Sequence, residues 1–593
     1  MKKIFWLLNF MFISVTIFAA DINLSLEKTY EQKDTITTTQ EITSEEIENS
    51  HSNQAMDILQ NTTGVFVQKT GDTGRADPVI RGFGDSCRKI FIAIDGKPEY
   101  MSLFGCGVSH SILSGNIDRI EITKGPDSVL YGSGALGGAI NIITKLPAKP
   151  FEGSVDYSLG SFNTQNAKIY LGGLTESNII YEVSANKMSS DGHLENSQYN
   201  ATDLYEKLGY IFNDGSIIKV QAKQYSGLTH YPKPVSGGNW PANYWEDYSR
   251  YSLQADYNKS FSRSELSLKV YENWGEHKFS TNFHSRDSLI GATANYDIEI
   301  GEKDLLKTGA EFRQQEGKLV DKPGPSPMKI GSWKTSSWSV FALNKYNFTD
   351  EFSTVLGARY NNDEISGDFV AVRAGAEYEL FEDIFVKGLY SRAFRSPYLN
   401  ELYLLPTSNE DLNPEEINNY EIGFDIKKDN LTVNITGFVM KGDNLIQVEK
   451  GKFKNVGDYE FKGSEVFVGY VFNKYVKAKA GYTYFNAGEH TQGRPESKID
   501  VGAEFKAGKW GLLLGSTYVG EYYAKDKKED RLKDYALLNA KLIFEVNENI
   551  KLFIDGQNLT NQDYELFIDR QTDDFPVMQM PGTAIYFGTQ VKF

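Results

Sequence analysis

Sulfur and imidazole side chains gather in one short stretch of the sequence, where their types could support metal chemistry. Met101, Cys106 and His110 lie close together along the chain. A thioether, a thiolate and an imidazole together suit copper, so one interpretation is a soft-metal site. The chain has one other cysteine, Cys87, and if the protein is exported the favoured interpretation is a Cys87–Cys106 disulfide.

Other candidate chemistry is sparse. His277 and His284 lie near a predicted strand end and could bind haem iron or a bare metal, although ordinary polar residues are the favoured interpretation. Residues 132–137 spell G-x-G-x-x-G, but an apolar strand follows where a dinucleotide site needs a helix. No P-loop, HExxH or G-x-S-x-G motif is present. We therefore expect no enzyme activity, no cofactor and no resident metal.

Composition and the N-terminus indicate an exported protein. Lys+Arg number 62 and Asp+Glu 79, a net charge of -17, which argues against binding nucleic acid. Lys2 and Lys3 precede an apolar run over residues 4–18, which ends in Ala19 and Ala20. This pattern predicts a cleaved signal peptide over residues 1–20, because the run falls short of the ~20 apolar residues that span a membrane.

The chain after residue 150 has the period of half-exposed β-strands. Leu208, Tyr210 and Phe212 alternate with other residues, Asp214-Gly215 favours a tight turn, and the alternation then resumes. The last residues, ending in Phe593, alternate in the same way. At ~10 residues per membrane strand, about 22 strands fit. We predict a mainly β fold: a 22-stranded antiparallel transmembrane β-barrel, the strand architecture that satisfies its backbone in lipid.

The region before residue 150 predicts a smaller α+β domain. Residues 43–46, Thr-Ser-Glu-Glu, form a capping box that opens a helix. A second helix is predicted over residues 52–60, with Ala55, Met56, Ile58 and Leu59 as its buried stripe. Short strands are predicted at residues 64–67, 78–81, 90–94, 117–123 and 140–143.

Several motifs in this domain and in the barrel region resemble one protein family. Residues 78–84 read PVIRGFG, 93–97 read AIDGK, and 117–144 continue into a glycine-rich run and an apolar strand. Residues 390–397 and 556–561 supply matching barrel motifs. Together they resemble the TonB-dependent receptors of outer membranes. The plug motif of that family maps onto Arg81, Gly82, Lys124, Gly125, Pro126, Tyr131 and Gly132.

The resemblance implies an organisation and an activity. We expect a signal peptide (1–20), a periplasmic coupling segment (21–42), a plug (43–149) inside the lumen, and a barrel (150–593) in a Gram-negative outer membrane. The implied function is TonB-dependent uptake of a scarce metal-bearing solute: a siderophore, cobalamin or haem. The alternatives are a receptor for a soft metal such as copper, or a passive pore or surface-docking barrel. The implied partners are TonB with ExbB and ExbD, outer-membrane lipid and a metal-chelate ligand, with a monomeric barrel.

The resemblance also assigns roles to residues. The energy-coupling box maps onto Asp34, Thr35, Ile36, Thr37 and Thr38, an unanchored β-prone stretch that could add as a strand to a partner's sheet; a plain polar linker is the alternative. Lys124 stands where the family usually has Arg, and because Lys lacks the guanidinium fork we expect a weaker plug–wall contact. Candidate substrate-binding residues are Glu99, Tyr100, Met101, Phe104, His110, His277 and His284.

Overall fold

The computed structural model describes residues 36–593 except 51, 53, 85–87, 238–240, 242, 323, 325–327 and 568–575. The predicted signal peptide, Asp34, Thr35 and Cys87 lie outside the described residues. Among the residues that are described, no helix has the length and apolarity needed to cross a bilayer.

The N-terminal plug is a small α+β unit. Its main sheet has the strand order β1-β6-β7-β4-β5, and β2 and β3 form a separate hairpin. Short 3₁₀ turns follow at Leu59–Asn61 and Ser109–Ser111. The elements are β1 (Thr38–Ile42), α1 (Ser44–Ser50), α2 (Ala55–Ile58), β2 (Val65–Lys69), β3 (Ala76–Ile80), β4 (Ile90–Ile94), β5 (Lys97–Pro98), β6 (Ile117–Lys124), α3 (Ser128–Tyr131) and β7 (Gly138–Thr144).

Local sequence explains most of the plug elements. The capping box is present: the Thr43 backbone N–H donates to Glu46 Oε2 at 3.1 Å, and the Glu46 N–H donates to Thr43 Oγ1 at 3.4 Å. The second helix is shorter than predicted, because after one 3₁₀ turn the β-branched Thr62 and Thr63 lead into Gly64, whose φ of 78° turns the chain toward β2.

Three plug elements were not predicted: β1, the two-residue strand β5 and α3. The polar strand β1 pairs antiparallel with β6, with Thr38 opposite Lys124. The last five residues of the predicted coupling segment therefore belong to the plug sheet. The short helix α3 begins after Asp127, whose carboxylate accepts the Leu130 N–H at 3.5 Å.

The barrel is closed by 22 antiparallel strands, as predicted. Its last strand pairs with its first, and Gly153 and Phe593 exchange backbone hydrogen bonds of 2.8 and 3.0 Å. Two hairpins, β23–β24 and β31–β32, stand outside it. The strands, with those hairpins in chain order, are β8 (Glu152–Gly160), β9 (Thr164–Leu174), β10 (Ile179–Ser190), β11 (Tyr199–Ile211), β12 (Ile217–His230), β13 (Trp245–Ser260), β14 (Ser264–Phe279), β15 (His284–Ile300), β16 (Asp304–Asp321), β17 (Gly331–Asn347), β18 (Phe352–Asp363), β19 (Gly367–Phe381), β20 (Ile384–Arg395), β21 (Glu415–Lys428), β22 (Leu431–Asp443), β23 (Leu445–Glu449), β24 (Lys452–Val456), β25 (Tyr459–Asn473), β26 (Val476–Asn486), β27 (Ser497–Ala507), β28 (Trp510–Gly520), β29 (Tyr535–Asn547), β30 (Ile550–Gln557), β31 (Glu565–Phe567), β32 (Val577–Gln579) and β33 (Ala584–Lys592).

The two ends of the barrel differ. At one end the strands are joined by tight turns, such as the one between Ala507 and Trp510. At the other end long connections occur, such as the one between Gln557 and Ala584. In outer-membrane barrels the short turns face the periplasm and the long loops face outward. We call these the turn end and the loop end.

The two faces of the wall also differ. Large apolar side chains, including Leu208, Val220 and Val270, are exposed on the outer face. The residues between them, such as Lys219 and Gln221, are buried against the lumen contents. The predicted alternation is therefore confirmed, and the outer face has the apolar band that hydrocarbon requires.

Placing a charge on that band should destabilise the barrel. Val270 lies in the middle of β14 and its side chain is 56% exposed. We expect Val270→Arg to lower the free energy of unfolding in lipid vesicles by roughly 2–4 kcal/mol, the cost of Arg near a bilayer midplane. Val235→Arg, in the long connection at the loop end, is the control and should change it little. Urea titration measures both, and equal effects would contradict the assignment of the lipid face.

Candidate functional site

The plug is joined to the barrel wall at the buried side chain of Arg81. Its Nη1 donates to Glu421 Oε2 at 2.6 Å, and its Nε donates to Glu465 Oε1 at 3.0 Å. The guanidinium also lies 4.3 Å from the ring centre of Phe438. Gly125 has a φ of 86°, and a Cβ there would lie 2.6 Å from Arg81 Nη1, so this glycine leaves room for the guanidinium.

Lys124 makes a weaker contact with the same wall. Its Nζ lies 3.6 Å from Glu465 Oε2. Burial lowers the pKa of Lys124, although Glu465 acts in the opposite direction. Arg81 thus supplies the guanidinium contacts to Glu421 and Glu465, while Lys124 adds one longer contact.

The described end of the predicted coupling box is anchored, which corrects the prediction of an unanchored stretch. Ile36 is buried in an apolar cluster that includes Val129 of α3. The carbonyl of Thr37 accepts from Lys387 Nζ at 3.4 Å, and the Thr38 hydroxyl donates to Glu421. The reason is tertiary: apolar and polar partners on the barrel wall complete contacts that the isolated segment lacks. Asp34 and Thr35 lie outside the described residues.

The predicted soft-metal residues are buried. Met101 and Cys106 share an apolar cluster with Tyr248, and the His110 ring lies 5.0 Å from the Tyr248 ring, centre to centre. Within the described part of the chain Cys106 has no disulfide partner, and burial raises the pKa of its thiol to about 11, which disfavours the thiolate that a metal needs. Because Cys87 lies outside the described residues, the disulfide stays a prediction.

The two barrel histidines do not form a pair. His277 faces the lumen, where its ring lies 4.8 Å from that of Tyr248, centre to centre. His284 lies on the outer face with Glu276, 2.5 Å from its Nε2. Strand alternation puts the two rings on opposite faces of the wall, so the alternative of joint ligation is wrong, and the favoured interpretation of two ordinary polar residues stands. Among the described residues no group of three or more His, Cys, Asp or Glu side chains could hold a metal.

The remaining candidate ligand residues lie near the loop end. Tyr100 and Glu99 border small cavities above the plug, and the Tyr100 ring lies 6.4 Å from that of Tyr398, centre to centre. Phe104 packs 5.9 Å from Phe283, ring centre to ring centre, in an apolar cluster under the loops.

A cavity rich in basic residues opens at the loop end. We call it the basic cavity; it has a volume of about 860 Å³ and lies between the plug and the loops. Its charged lining residues are Arg88, Lys89, Arg395, Arg494, Glu401 and Asp526.

The basic cavity is held in shape by ion pairs. Arg395 contacts Glu401 at 2.9 Å and Glu415 at 2.6 Å. Lys89 Nζ lies 3.0 Å from Glu415 Oε1, and Arg88 Nη1 lies 3.5 Å from Glu401 Oε1. The four cations in this lining outnumber its acids, even when Glu415 is included, so the cavity suits an anionic ligand.

A second cavity at the loop end lies on the other side of Tyr398. We call it the outer cavity; it has a volume of about 610 Å³ and is lined mainly by hydroxyl, amide and charged groups. The Tyr398 hydroxyl donates to the Arg88 carbonyl at 3.2 Å. Tyr398 therefore stands between the outer cavity and the basic cavity.

Sequence reasoning missed most of the basic cavity. Arg395 lies inside the motif at residues 390–397, but the motif gave no indication of its partners. Glu401 belongs to the connection after β20, Glu415 begins β21, and Arg494 belongs to a loop far along the chain. A cluster of arginines that converge from distant segments has no local signature.

Comparison with known proteins agrees with this architecture. Residues 31–139 match the TonB-dependent receptor plug domain, and residues 152–559 match the TonB dependent receptor-like β-barrel. The chain belongs to the TonB-dependent receptors, a family of outer-membrane transporters.

Individual relatives cover nearly the whole chain. The vitamin B12 transporter BtuB of Vibrio vulnificus is 25% identical over 568 residues, which is 89% of each protein. The ferric enterobactin receptor PfeA of Pseudomonas aeruginosa has a TM-score of 0.78 at 18% identity, covering 94% of this chain and 99% of that one. The ferric yersiniabactin uptake receptor FyuA of Yersinia pestis has a TM-score of 0.81 at 15% identity, covering 94% and 98%.

Removing one acceptor of Arg81 should loosen the plug. Glu421→Ala takes away the nearest carboxylate from a buried guanidinium and also the acceptor of Thr38. A buried charge that loses a partner is costly, so we expect faster amide hydrogen exchange in β1 and β6. Glu416→Ala on the same strand is the control, because Glu416 pairs with Arg392 at the surface, where such pairs contribute little. Equal exchange in both variants would contradict the role of Glu421.

Proposed function

We propose that this protein takes up an anionic metal chelate across the outer membrane, with energy supplied by TonB, ExbB and ExbD. In this proposal the monomeric barrel binds the chelate at the loop end, in the basic cavity. TonB binds the segment that includes Asp34–Thr38 at the turn end. In this scheme the signal peptide (1–20) directs export, and the coupling segment ahead of β1 receives energy from TonB. The plug closes the lumen, and the barrel provides the passage through the membrane.

The observation that carries the proposal is the position of the plug. It fills the lumen of a closed 22-stranded barrel, a cavity opens above it, and the described end of the coupling segment, residues 36–42, contacts the wall near the turn end. A passive pore would gain nothing from an occluding domain that is tied to the wall through Arg81. Removal of the occlusion therefore requires work, and TonB is the source of work in this family.

The basic cavity favours a particular class of chelate. Siderophore complexes that carry net negative charge would gain from a site where Arg88, Lys89, Arg395 and Arg494 converge. The relatives whose names give a substrate divide between vitamin B12 and ferric siderophores. Among these, the positive lining supports the anionic ferric siderophore over the larger, uncharged cobalamin.

A proline in the coupling box should separate binding from uptake. Ile36→Pro removes one backbone N–H and disfavours the pairing of this segment as a strand with TonB, so TonB should bind it more weakly. We expect binding of an iron-chelate panel to cells to persist while its accumulation falls to the level of a strain lacking TonB. Ile36→Val keeps the donor and the β preference and is the control. Normal accumulation with Ile36→Pro would exclude TonB coupling through this box.

Charge at the basic cavity should decide between ligands. We expect Arg88→Gln to weaken binding of an anionic ferric catecholate, with a loss that shrinks as ionic strength rises. Binding of uncharged cyanocobalamin, where detectable, should be unaffected. Lys533→Gln removes the same charge from an exposed loop position and is the control. Equal losses in both variants, or tight cyanocobalamin binding alone, would count against the anionic chelate.

A further inference from the structure

A larger cavity lies below the outer cavity on the same side of the plug. We call it the inner cavity; it has a volume of about 1110 Å³ and lies between the plug and strands β12–β18. Lys219, Asn258 and Ser267 line it, and each lies near the turn end of its strand. The outer cavity, in contrast, is lined by Ser337 and Asp363 near the loop end. The two cavities thus extend toward opposite sides of the membrane.

The two cavities meet at three shared wall residues. Glu311 and Arg313 on β16 and Arg359 on β18 line both of them. We call these three the gate cluster. The Glu311 carboxylate accepts from both Arg313 Nε and Arg359 Nη2, so the cluster bridges two strands and crosses the space between the cavities.

The plug closes the remaining space against this cluster. The carbonyl of Tyr131, the last residue of α3, accepts from Arg313 Nη2 at 3.1 Å. The next residue, Gly132, has a φ of 74°, and a Cβ there would lie 2.9 Å from Arg359 Nη2. Glycine therefore lets the plug backbone approach the guanidinium, and no gap is left at the contact.

The same helix is connected to the coupling segment. Val129 of α3 lies in the buried apolar cluster that contains Ile36. Asp127, which caps α3, pairs with Arg373 of the wall at 2.7 Å. Withdrawal of Ile36 removes part of the packing that holds α3 against the wall, and Tyr131 is the end of that helix.

We propose that the transported solute passes along this side of the plug, from the outer cavity into the inner cavity, and that the gate cluster is the barrier between them. Opening requires α3 to carry the Tyr131 carbonyl and Gly132 away from Arg313 and Arg359. The pairs with Glu311 can persist on the wall, while the contacts of Tyr131 and Gly132 with the two arginines are lost. The contacts that hold α3 to the wall, Asp127 with Arg373 and Ser128 with Phe394, are lost with them.

The lining of the inner cavity fits a hydrated, polar solute. Beyond the gate cluster its charged lining residues are four acids and two lysines: Asp95, Asp256, Glu265, Asp297, Lys219 and Lys269. With the gate cluster included, five acids and four cations line the cavity, so no cluster of unbalanced cations retains an anion. The nature of the solute rests on the proposed function, but the path and its barrier do not.

The test measures the leak of a small solute through the protein in liposomes, which requires neither ligand nor TonB. The triple variant combines Glu311→Ala, Arg313→Ala and Arg359→Ala, and it is purified and reconstituted into liposomes. We expect permeability to arabinose to rise several-fold over the unmodified protein, because the two cavities become continuous. Adding Ser267→Trp to this variant places an indole in the inner cavity, which narrows the path and should lower permeability toward the unmodified value.

Matched controls remove similar contacts elsewhere. Lys498 donates to the plug carbonyls of Gln60 and Thr62 and pairs with Asp500, but lines neither cavity. Lys498→Ala with Asp500→Ala should leave the liposomes tight. Ser158→Trp, at a lumen position of β8 that lines neither cavity, should not reduce the leak of the triple variant.

Several outcomes would overturn the proposal: a tight triple variant, an equal leak from the Lys498 and Asp500 variant, or a leak that Ser267→Trp leaves unchanged. Folding of the triple variant is checked by the heat-modifiable migration of the barrel. If it does not fold, Arg359→Ala alone is used, because it removes the side chain that contacts Gly132, and the same outcomes decide. A negative result in the leak experiment would not contradict chelate uptake. If the unmodified protein binds no chelate, that result contradicts the proposed function but not the path described here.

Discussion

The structure depends on one constraint: inside a membrane every backbone N–H and C=O must find a partner within the protein. A closed sheet meets it, and the bonds between Gly153 and Phe593 complete the circle. Closure fixes the chemistry of both faces, because side chains alternate along each strand. If Val270 faces hydrocarbon, Lys269 must face the lumen. The interior of this barrel therefore cannot be an apolar core, and any domain that fills it must contact a polar, charged wall.

A charged seam suits a domain that has to move. An apolar interface would stabilise the closed position of the plug in proportion to the surface that it buries. In a buried ion pair, in contrast, the Coulomb attraction is roughly offset by the cost of desolvation. Breaking such a pair is costly only if its members stay dry. Around Arg313 and Arg359 the seam is bordered by cavities on both sides, so groups that separate there meet water. The Arg81 side chain is fully buried, with its guanidinium paired to both Glu421 and Glu465.

The sequence predicts the barrel well because the signal is local and repeated. The hairpin around Asp214-Gly215 can be read from a dozen neighbouring residues, and the same is true of the capping box at Thr43. Features that depend on distant partners could not be read. The strand β1 forms because β6 offers it an edge, and α3 is one turn long and is held by Arg373, far along the chain. The pairing of His277 with His284 failed for a related reason, because spacing along the chain does not show which face of a strand each ring occupies.

The position of Lys124 links the sequence to the order in which the plug can release. In the sheet, Thr38 of β1 lies directly opposite Lys124 of β6, at the end of β1 that the coupling segment enters. A pull from the periplasm reaches this pair before it reaches Ile42. On the wall side, Lys124 has one contact of 3.6 Å with Glu465, while its neighbour Arg81 has two shorter ones. The pair that is loaded first thus includes the weaker of these two contacts with the wall, and α3 begins four residues after Lys124 in the chain. At the point where force enters, Lys124 thus adds one longer contact beside the two that Arg81 makes with the same wall.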